Sequence, residues 1–175
     1  MGKIKVSSQV RLICGMITQD EGLFERASQR MIVEFGPIDY RSKILSFDHT
    51  DYYQAEMGPN LKRRFVSFKE LIDRERLSEI KCFTNTLEEE FSEGERRQMN
   101  LDPGYLTLDK LVLATTKDHS HRIYIGRGIY AEVTLHYQNK KWRPYEWTYP
   151  DYRSKEYLEI FKELRSLAAT QGLKS

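Results

Sequence analysis

The sequence predicts an α+β protein built on antiparallel strands. Up to residue 101, apolar runs of strand length alternate with segments that have the periodicity of helices. Beyond residue 102, four segments rich in Tyr, Val, Ile and Thr follow one another with only short turns between them. A last segment of helical periodicity comes after Pro150. Strands that first alternate with helices and then follow each other directly are typical of an α+β fold.

An apolar run and a helix cap predict the first strand and helix. Residues 10–17 (VRLICGMI) are apolar and bounded by polar residues, as in a buried strand. Thr18 and Glu21 fit a capping box, in which Thr18 is the N-cap and Glu21 reaches back to it. Gly36 and Pro37 end the helix. Its inner face consists of apolar residues at three-to-four spacing, namely Phe24, Ala27, Met31 and Phe35.

Two strands, a helix and a fourth strand complete the first half of the chain. Residues 43–47 and 64–68 are predicted strands that flank a polar loop at 48–60. Residues 75–91 are a predicted helix, followed by a strand at 97–101. The inner stripe of this helix is Leu77, Ile80, Thr84, Leu87 and Phe91. The resulting β-α-β-β-α-β order is that of a ferredoxin-like unit.

The second half of the chain predicts an antiparallel β-meander closed by a helix. Asp102, Pro103 and Gly104 are a turn signal, and strands are expected at 110–116, 122–125, 129–137 and 142–147. Ser154 is the predicted N-cap of the last helix, whose inner face is Tyr157, Leu158, Phe161, Leu164 and Ala168. We expect residues 1–175 to form a single domain, with a ferredoxin-like half at 10–101 and the meander plus helix at 102–170.

Composition narrows the class of protein. A formal net charge of +2 is too small to indicate a nucleic-acid partner by itself. Cys14 and Cys82 are far apart in the sequence, which argues against a disulfide scaffold or a zinc site. No uncharged stretch approaches the roughly 18 residues of a membrane helix, and no signal peptide is visible. We therefore expect a cytoplasmic protein with no membrane partner.

Two sets of polar residues are candidate binding sites, one within the loop at 48–60 and one directly after it. Four side chains with oxygen or nitrogen donors are weak candidates for a divalent metal: Asp48, His49, Asp51 and Glu56. The alternative is a polar hairpin whose side chains satisfy turn amides. Lys62 and Arg63 could bind phosphate, or they could protect an edge strand by their charge.

Four side chains are candidates for acid–base catalysis, namely Glu132, His136, Asp102 and Asp118. Glu132 and His136 are four residues apart on a predicted strand, so we expect them on one face with Thr134. A polar sheet face is either exposed to solvent or the floor of a site. Asp118 falls in a predicted turn, where exposure to solvent is the simpler interpretation.

Aromatic and cationic residues are interleaved near the end of the meander. Trp142 and Trp147 flank Arg143, and Lys117 and Arg122 come from a preceding turn. Proteins that bind single-stranded nucleic acids stack aromatic rings on the bases and place cationic side chains near the phosphates. Protein interfaces use the same mixture, and packing against the last helix would also explain the rings.

Long stretches of the chain resemble an uncharacterised bacterial and archaeal family, domain of unknown function 4416. They include SFDHTDYYQAEMGPNLKRRFVSF at 46–68, NLDPGYLTLDKLVLATTKD at 100–118 and RIYIGRGIYAEVTLHY at 122–137. The resemblance implies a prokaryotic protein, and the family has no established activity. Some members carry the label GTP-binding protein, but no GxxxxGK[ST] loop occurs in this sequence. We therefore do not expect an ordinary GTPase.

Three classes of function remain open. The leading hypothesis is a binding module for an anionic ligand, a nucleotide or RNA. Its expected contacts are Lys62, Arg63, Lys117, Arg122, Arg143, Trp142 and Trp147. The second is a small enzyme that acts on a phosphorylated or nucleotide substrate. The third is a protein that oligomerises, with itself or with a partner. The sequence identifies no cofactor.

Overall fold

One large antiparallel sheet with helices on both sides forms the protein. The computed structural model describes residues 2–3, 7–48 and 53–173. The helices of the described residues are α1 (Glu21–Phe35), α2 (Gln54–Met57), α3 (Leu77–Glu90) and α4 (Lys155–Thr170). The strands are β1 (Val10–Thr18), β2 (Ile38–Arg41), β3 (Leu45–Ser46), β4 (Lys62–Ile72), β5 (Met99–Leu106), β6 (Lys110–Thr115), β7 (Ile123–Gly126), β8 (Ile129–Gln138) and β9 (Lys141–Pro144). No helix in the described ranges is long and apolar enough to cross a membrane.

The strands lie in the order β2-β4-β1-β5-β6-β8-β7, with β3 beside β4 and β9 beside β8. The central strand β1 is buried along its whole length. Leu12, Cys14 and Met16 face a core shared with α1 and α3, while Ile13 faces a second core shared with α4. Burial on both faces explains why β1 has no polar side chain from Leu12 to Ile17.

The predicted inner faces of the three long helices are largely buried. In α1 these are Phe24, Ala27, Met31 and Phe35. Ser154 is the N-cap of α4, as predicted, because its side chain accepts from the Tyr157 N–H. The cap of α1 is Asp20 rather than Thr18, since Asp20 Oδ1 accepts from Gly22 N at 2.8 Å. Thr18 is the last residue of β1 and donates to the Gln98 carbonyl instead.

Residues 102–104 are a strand and not the predicted turn. Asp102, Pro103 and Gly104 lie inside β5, paired with Gly15, Cys14 and Ile13 of β1. In the described chain β5 pairs with β6 only from Gly104 onward, so Pro103, which lacks an amide N–H, lies where the second neighbour is missing. At Gly104 a Cβ atom would stand 2.3 Å from the Val112 carbonyl oxygen, so the close approach of β6 requires glycine.

Strand pairing beyond β6 differs from a simple meander. β6 pairs with β8, and both β7 and β9 lie along the other edge of β8. The segment between β6 and β7 turns at residues 119–122, and Thr116, Lys117 and Arg122 of this segment line a cavity. The predicted strand at 43–47 is also displaced, since the chain forms β2 earlier and only the two-residue β3 in that range.

A register shift in β8 separates Glu132 from His136. Leu111 is opposite Leu135, but the next residue, Val112, is opposite Val133, so Thr134 is an extra residue in β8. Residues opposite each other in an antiparallel pair share a face. Glu132, opposite Leu113, is therefore on the same face as Leu135, and His136 is on the other. The predicted common face of Glu132 and His136 is wrong for this reason.

Candidate functional site

A cleft opens where β5 and β6 diverge. The two strands pair over Gly104–Leu106 and Leu111–Leu113, and Asn100 and Asp102 of β5 then separate from Ala114 and Thr115 of β6. The cavity between them has a volume of about 630 Å³ and reaches α3 on one side of the sheet. We call this cavity the cleft. It lies at the boundary of the two halves of the chain, so neither half encloses it alone.

Arg63 of β4 is buried beside the cleft and joins two carboxylates. Its side chain is 2% exposed, with Nη1 donating to Asp102 Oδ2 at 3.0 Å and Nη2 to Asp151 Oδ2 at 3.1 Å. Four rings surround the guanidinium with centroids within 5.7 Å, those of Phe47, Phe65, Tyr152 and Tyr157. Burial acts to lower the pKa of Arg63, but the neighbouring phenols and carboxylates raise it above its ordinary value. The guanidinium therefore stays charged.

A second ionic group links α3 to β5. Lys81 Nζ donates to the Leu101 carbonyl at 2.7 Å, and Glu88 Oε1 accepts from Leu101 N at 2.6 Å. Arg97 bridges Glu88, at 3.3 Å, and Glu56 of α2, at 3.0 Å. Burial raises the pKa of Glu88, against the attraction of Lys81 and the Leu101 hydrogen bond. These pairs fix the helix wall of the cleft to its strand wall.

A third group surrounds Glu132 at the opposite wall. Glu132 is 4% exposed, and its Oε2 accepts from Arg122 Nε at 2.9 Å and lies 3.0 Å from His121 Nε2. Thr134 Oγ1 donates to Oε1 at 3.3 Å. Arg122 also donates to the Tyr149 hydroxyl at 3.3 Å, and Tyr149 lies at the mouth of the cleft. Glu132 is thus an anchored carboxylate that orients Arg122.

Some residues that line the cleft carry buried polar atoms without hydrogen-bond partners. Five cationic and six acidic side chains line it, so its formal charge is nearly balanced. All the acidic residues except Glu89 already contact a protein cation. In contrast, several buried atoms have no hydrogen-bond partner among the described residues: Asn100 Nδ2, Arg63 Nε, Arg97 Nε and the Tyr152 hydroxyl. Buried polar groups are nearly always paired, so ordered water or a small shift of these side chains would complete their hydrogen bonds.

The structure brings six of the sequence candidates together. Glu56, Arg63, Asp102, Lys117, Arg122 and Glu132 all line the cleft. His49 and Asp51 lie outside the described residues. Among those described, no group of three or more His, Cys, Asp or Glu side chains is arranged to hold a metal ion.

The other candidates lie outside the cleft. Lys62 pairs with Glu21 on the surface, and Asp48 is exposed. Asp118 is exposed, and Arg143 is opposite His136 on β9. Trp142 is 6% exposed and packs edge-on against Tyr137 in the core beneath α4, so it presents no ring face to a ligand.

Trp147 belongs to a row of rings along the sheet edge, which are stacked from His119 to Tyr145 and tilted between Tyr145 and His136. His119, His121, Trp147, Tyr145 and His136 follow one another with centroid distances of 5.9, 5.4, 4.6 and 4.6 Å. The indole N–H of Trp147 donates to the Val133 carbonyl. This hydrogen bond lies on the edge of β8 between the residues that pair with β7 and those that pair with β9. Because Trp147 is stacked on His121 and on Tyr145, it is not an open platform for a base.

Several cleft residues were missed by sequence reasoning, namely Lys81, Glu88, Arg97 and Asn100. Lys81 and Glu88 had a signal, since they lie beside Ile80 and Leu87 on the inner side of α3 and interrupt an apolar stripe with charge. Arg97 and Asn100 follow an irregular segment and carry no periodic signal. Asp151 is brought to the cleft by a single turn of 3-10 helix, Asp151–Arg153, that precedes α4.

The fold and the cleft define an α+β protein with a ligand-sized charged cavity at a split in its sheet. The chain belongs to the family described as Domain of unknown function (DUF4416), whose model matches residues 8–167. Comparison with curated proteins and with solved structures found no match.

Proposed function

We propose that the protein binds a phosphorylated small molecule of nucleotide size in the cleft. The five cationic side chains that line the cleft carry this proposal, because guanidinium and ammonium groups pair with phosphate oxygens. Phosphate oxygens are the strongest acceptors among common metabolites and pair well with guanidinium groups.

The size and walls of the cleft fit a single nucleotide. Ligand pockets typically have volumes of about 300 to 1,000 Å³, and the 630 Å³ of the cleft lies within that range. Phe47, Tyr53 and Tyr149 supply aromatic surface for a base, and Lys117 and Arg122 supply positive charge near it. An RNA strand is less well supported, since the cleft has room for one nucleotide and the ring row is internally stacked.

The same cleft would serve an enzyme that acts on such a ligand. Asp102 and Glu132 both line it, and carboxylates can act as acid or base. Incubating each ligand that binds with the protein and analysing it for products distinguishes turnover from binding alone.

We also infer that β1, α1, β2, β4, α3 and β5 form a ferredoxin-like unit. The order β2-β4-β1-β5 supports this, because it is the arrangement expected when two β-α-β crossovers interleave. The strands β6 to β9 and α4 would then extend its sheet, and the whole chain would form one domain around the cleft.

Thermal unfolding with added ligands tests the proposed function. A ligand at one hundred times its dissociation constant adds about 2.7 kcal/mol. For a protein of this size that should raise Tm by about 5 °C or more. We expect this with ribonucleotides, and a much smaller rise for Asn100→Ala and Arg97→Gln. Lys62→Gln is the matched control, because it removes a cation outside the cleft.

Three outcomes would contradict the proposal. Nucleotides and phosphorylated metabolites could all leave Tm unchanged. The rise could persist in full in both cleft variants, which would place the ligand elsewhere. A rise with RNA oligonucleotides alone would favour a nucleic-acid surface over the cleft.

A further inference from the structure

We infer that Asp102 accepts a hydrogen bond from a ribose hydroxyl, so that the cleft selects ribonucleotides over deoxyribonucleotides. This inference rests on the proposed function and names the ligand class of the same site. It is drawn from the one carboxylate of the cleft that is both partly open and held rigidly.

Asp102 has an oxygen that the described protein groups leave unused. Its side chain is 23% exposed, and Arg63 Nη1 donates to Oδ2. No hydrogen bond within residues 7–48 and 53–173 engages Oδ1. Glu88 and Glu132, in contrast, use both of their oxygens within the protein. Asp102 therefore offers an acceptor to a ligand in the cleft.

The charges around Asp102 favour a neutral donor over a cationic one. Arg63 is shared between Asp102 and Asp151, so the three groups together carry a formal charge of −1. An ammonium group on the ligand would be attracted by this charge but repelled by Lys81 and Arg97, which line the same cleft. A hydroxyl can donate to Oδ1 without that repulsion.

Because Arg63 holds Asp102 in place, the site should discriminate against ligands that lack the hydroxyl. Four rings and two carboxylates hold Arg63, and Gly15 leaves room for its guanidinium. Asp102 cannot easily turn toward another donor, because Arg63 fixes its Oδ2. A ligand that lacks the hydroxyl leaves a desolvated carboxylate oxygen unpaired, and a site built to hydrogen bond a hydroxyl rejects analogues without it.

Titration calorimetry with matched nucleotides tests the inference. The probes are the 5′-monophosphates of adenosine, guanosine, cytidine and uridine, each beside its 2′-deoxy and 3′-deoxy forms. We expect one of the two deoxy forms to bind the wild-type protein about tenfold more weakly than the ribonucleotide. In Asp102→Ala that ratio should fall to about one, because the acceptor has been removed.

Two further variants keep the test decisive. If Asp102→Ala does not fold, Asp102→Asn can still accept from Arg63 through its carbonyl oxygen and turns its amide toward the cleft, so the ratio should fall there too. Asp39→Asn is the control, since Asp39 pairs with the buried Arg11 outside the cleft. That variant should lose stability and keep the wild-type ratio.

The outcomes separate this inference from the proposed function. If no ribonucleotide binds, both are overturned. If ribonucleotides bind but their deoxy forms bind equally well, or if Asp102→Ala keeps the tenfold ratio, only the role of Asp102 is overturned and the cleft remains a nucleotide site.

Discussion

The guanidinium group of Arg63 fills the space that a side chain at Gly15 would need. A Cβ atom on Gly15 would stand 2.5 Å from Arg63 Nη1 and 3.0 Å from Phe65 Cε1. Arg63 cannot move aside freely, because Asp102 and Asp151 hold its two terminal nitrogens. A single missing methyl group thus permits a buried cation beside the cleft.

Replacing Gly15 with alanine should destabilise the protein by about 1 to 3 kcal/mol, the usual cost of overpacking a core. It should also weaken ligand binding, since Arg63 and with it Asp102 would shift. Urea unfolding of Gly15→Ala measures the change in the free energy of unfolding. Gly2→Ala, where the added Cβ meets no neighbouring atom, is the control. A stability equal to that of the wild type would show that Arg63 is not tightly held.

Single residues were the hardest part of the site to predict. The sequence indicated Arg63 as a phosphate ligand at a strand start, but both terminal nitrogens bind carboxylates that come from residues 39 and 88 positions further along the chain. Glu132 and His136 were assigned to one face by a strict period of two. One extra residue in β8 breaks that period, and no local signal in the sequence marks it.

The elements around the cleft depend on α4 and on the turn that precedes it. Tyr157 and Phe161 of α4 pack with Phe65, and Asp151 of the preceding turn binds Arg63. Ser154 begins the helix by accepting from Tyr157 N. The start of α4 therefore affects both the core and the wall of the cleft.

Removing the cap should loosen this end of the helix. We expect Ser154→Ala to lower the free energy of unfolding by about 1 kcal/mol, as for other N-cap serines. Ser166→Ala in the exposed middle of the same helix should change it by less than about 0.5 kcal/mol. Chemical denaturation of both variants makes the comparison, and equal effects would mean that the cap contributes nothing specific.

Elements with a clear period were predicted well, and pairings were not. The inner faces of α1, α3 and α4 follow from apolar spacing, because each helix packs one side on the sheet. The strand through Pro103 was predicted as a turn, since the residues Asp-Pro-Gly favour turns locally. Tertiary pairing with β1 overrides that preference, and the loss of β6 at the same point opens the cleft.

At the scale of the whole molecule, buried tyrosines couple stability to alkaline pH. Burial raises the pKa of Tyr157 to about 12 and also raises the pKa of Tyr152. Unfolded tyrosine ionises near pH 10. Above that pH the unfolded chain loses protons that the folded protein keeps, so the stability present below pH 10 is lost as the pH rises.

The free energy of unfolding should therefore fall between pH 10 and 12, by about 1.4 kcal/mol per pH unit for each such tyrosine. Urea unfolding at a series of pH values measures the slope, and absorbance near 295 nm reports phenolate formation. Tyr157→Phe should reduce the slope by the contribution of one tyrosine, about 1.4 kcal/mol per pH unit. A slope unchanged by Tyr157→Phe would contradict the assigned burial.

In the whole molecule, the cleft lies where the two halves of the chain meet, residues 10–101 and 102–170. Composition and periodicity predicted the α+β class, because they depend on many residues at once. The cleft depends on where two strands stop pairing and on ion pairs between distant segments, and neither is visible in a single sequence. Lys81 and Glu88, charges within an apolar helix stripe, were the strongest signal that a polar interior existed.

The most direct test of the central claim is amide chemical-shift mapping of the labelled protein during titration with a ribonucleotide. The account predicts saturable shifts concentrated in residues 99–102, 114–117 and 81–89, which surround the cleft. Shifts confined to the ring row of His119, His121, Trp147, Tyr145 and His136, or no shifts at all, would contradict it.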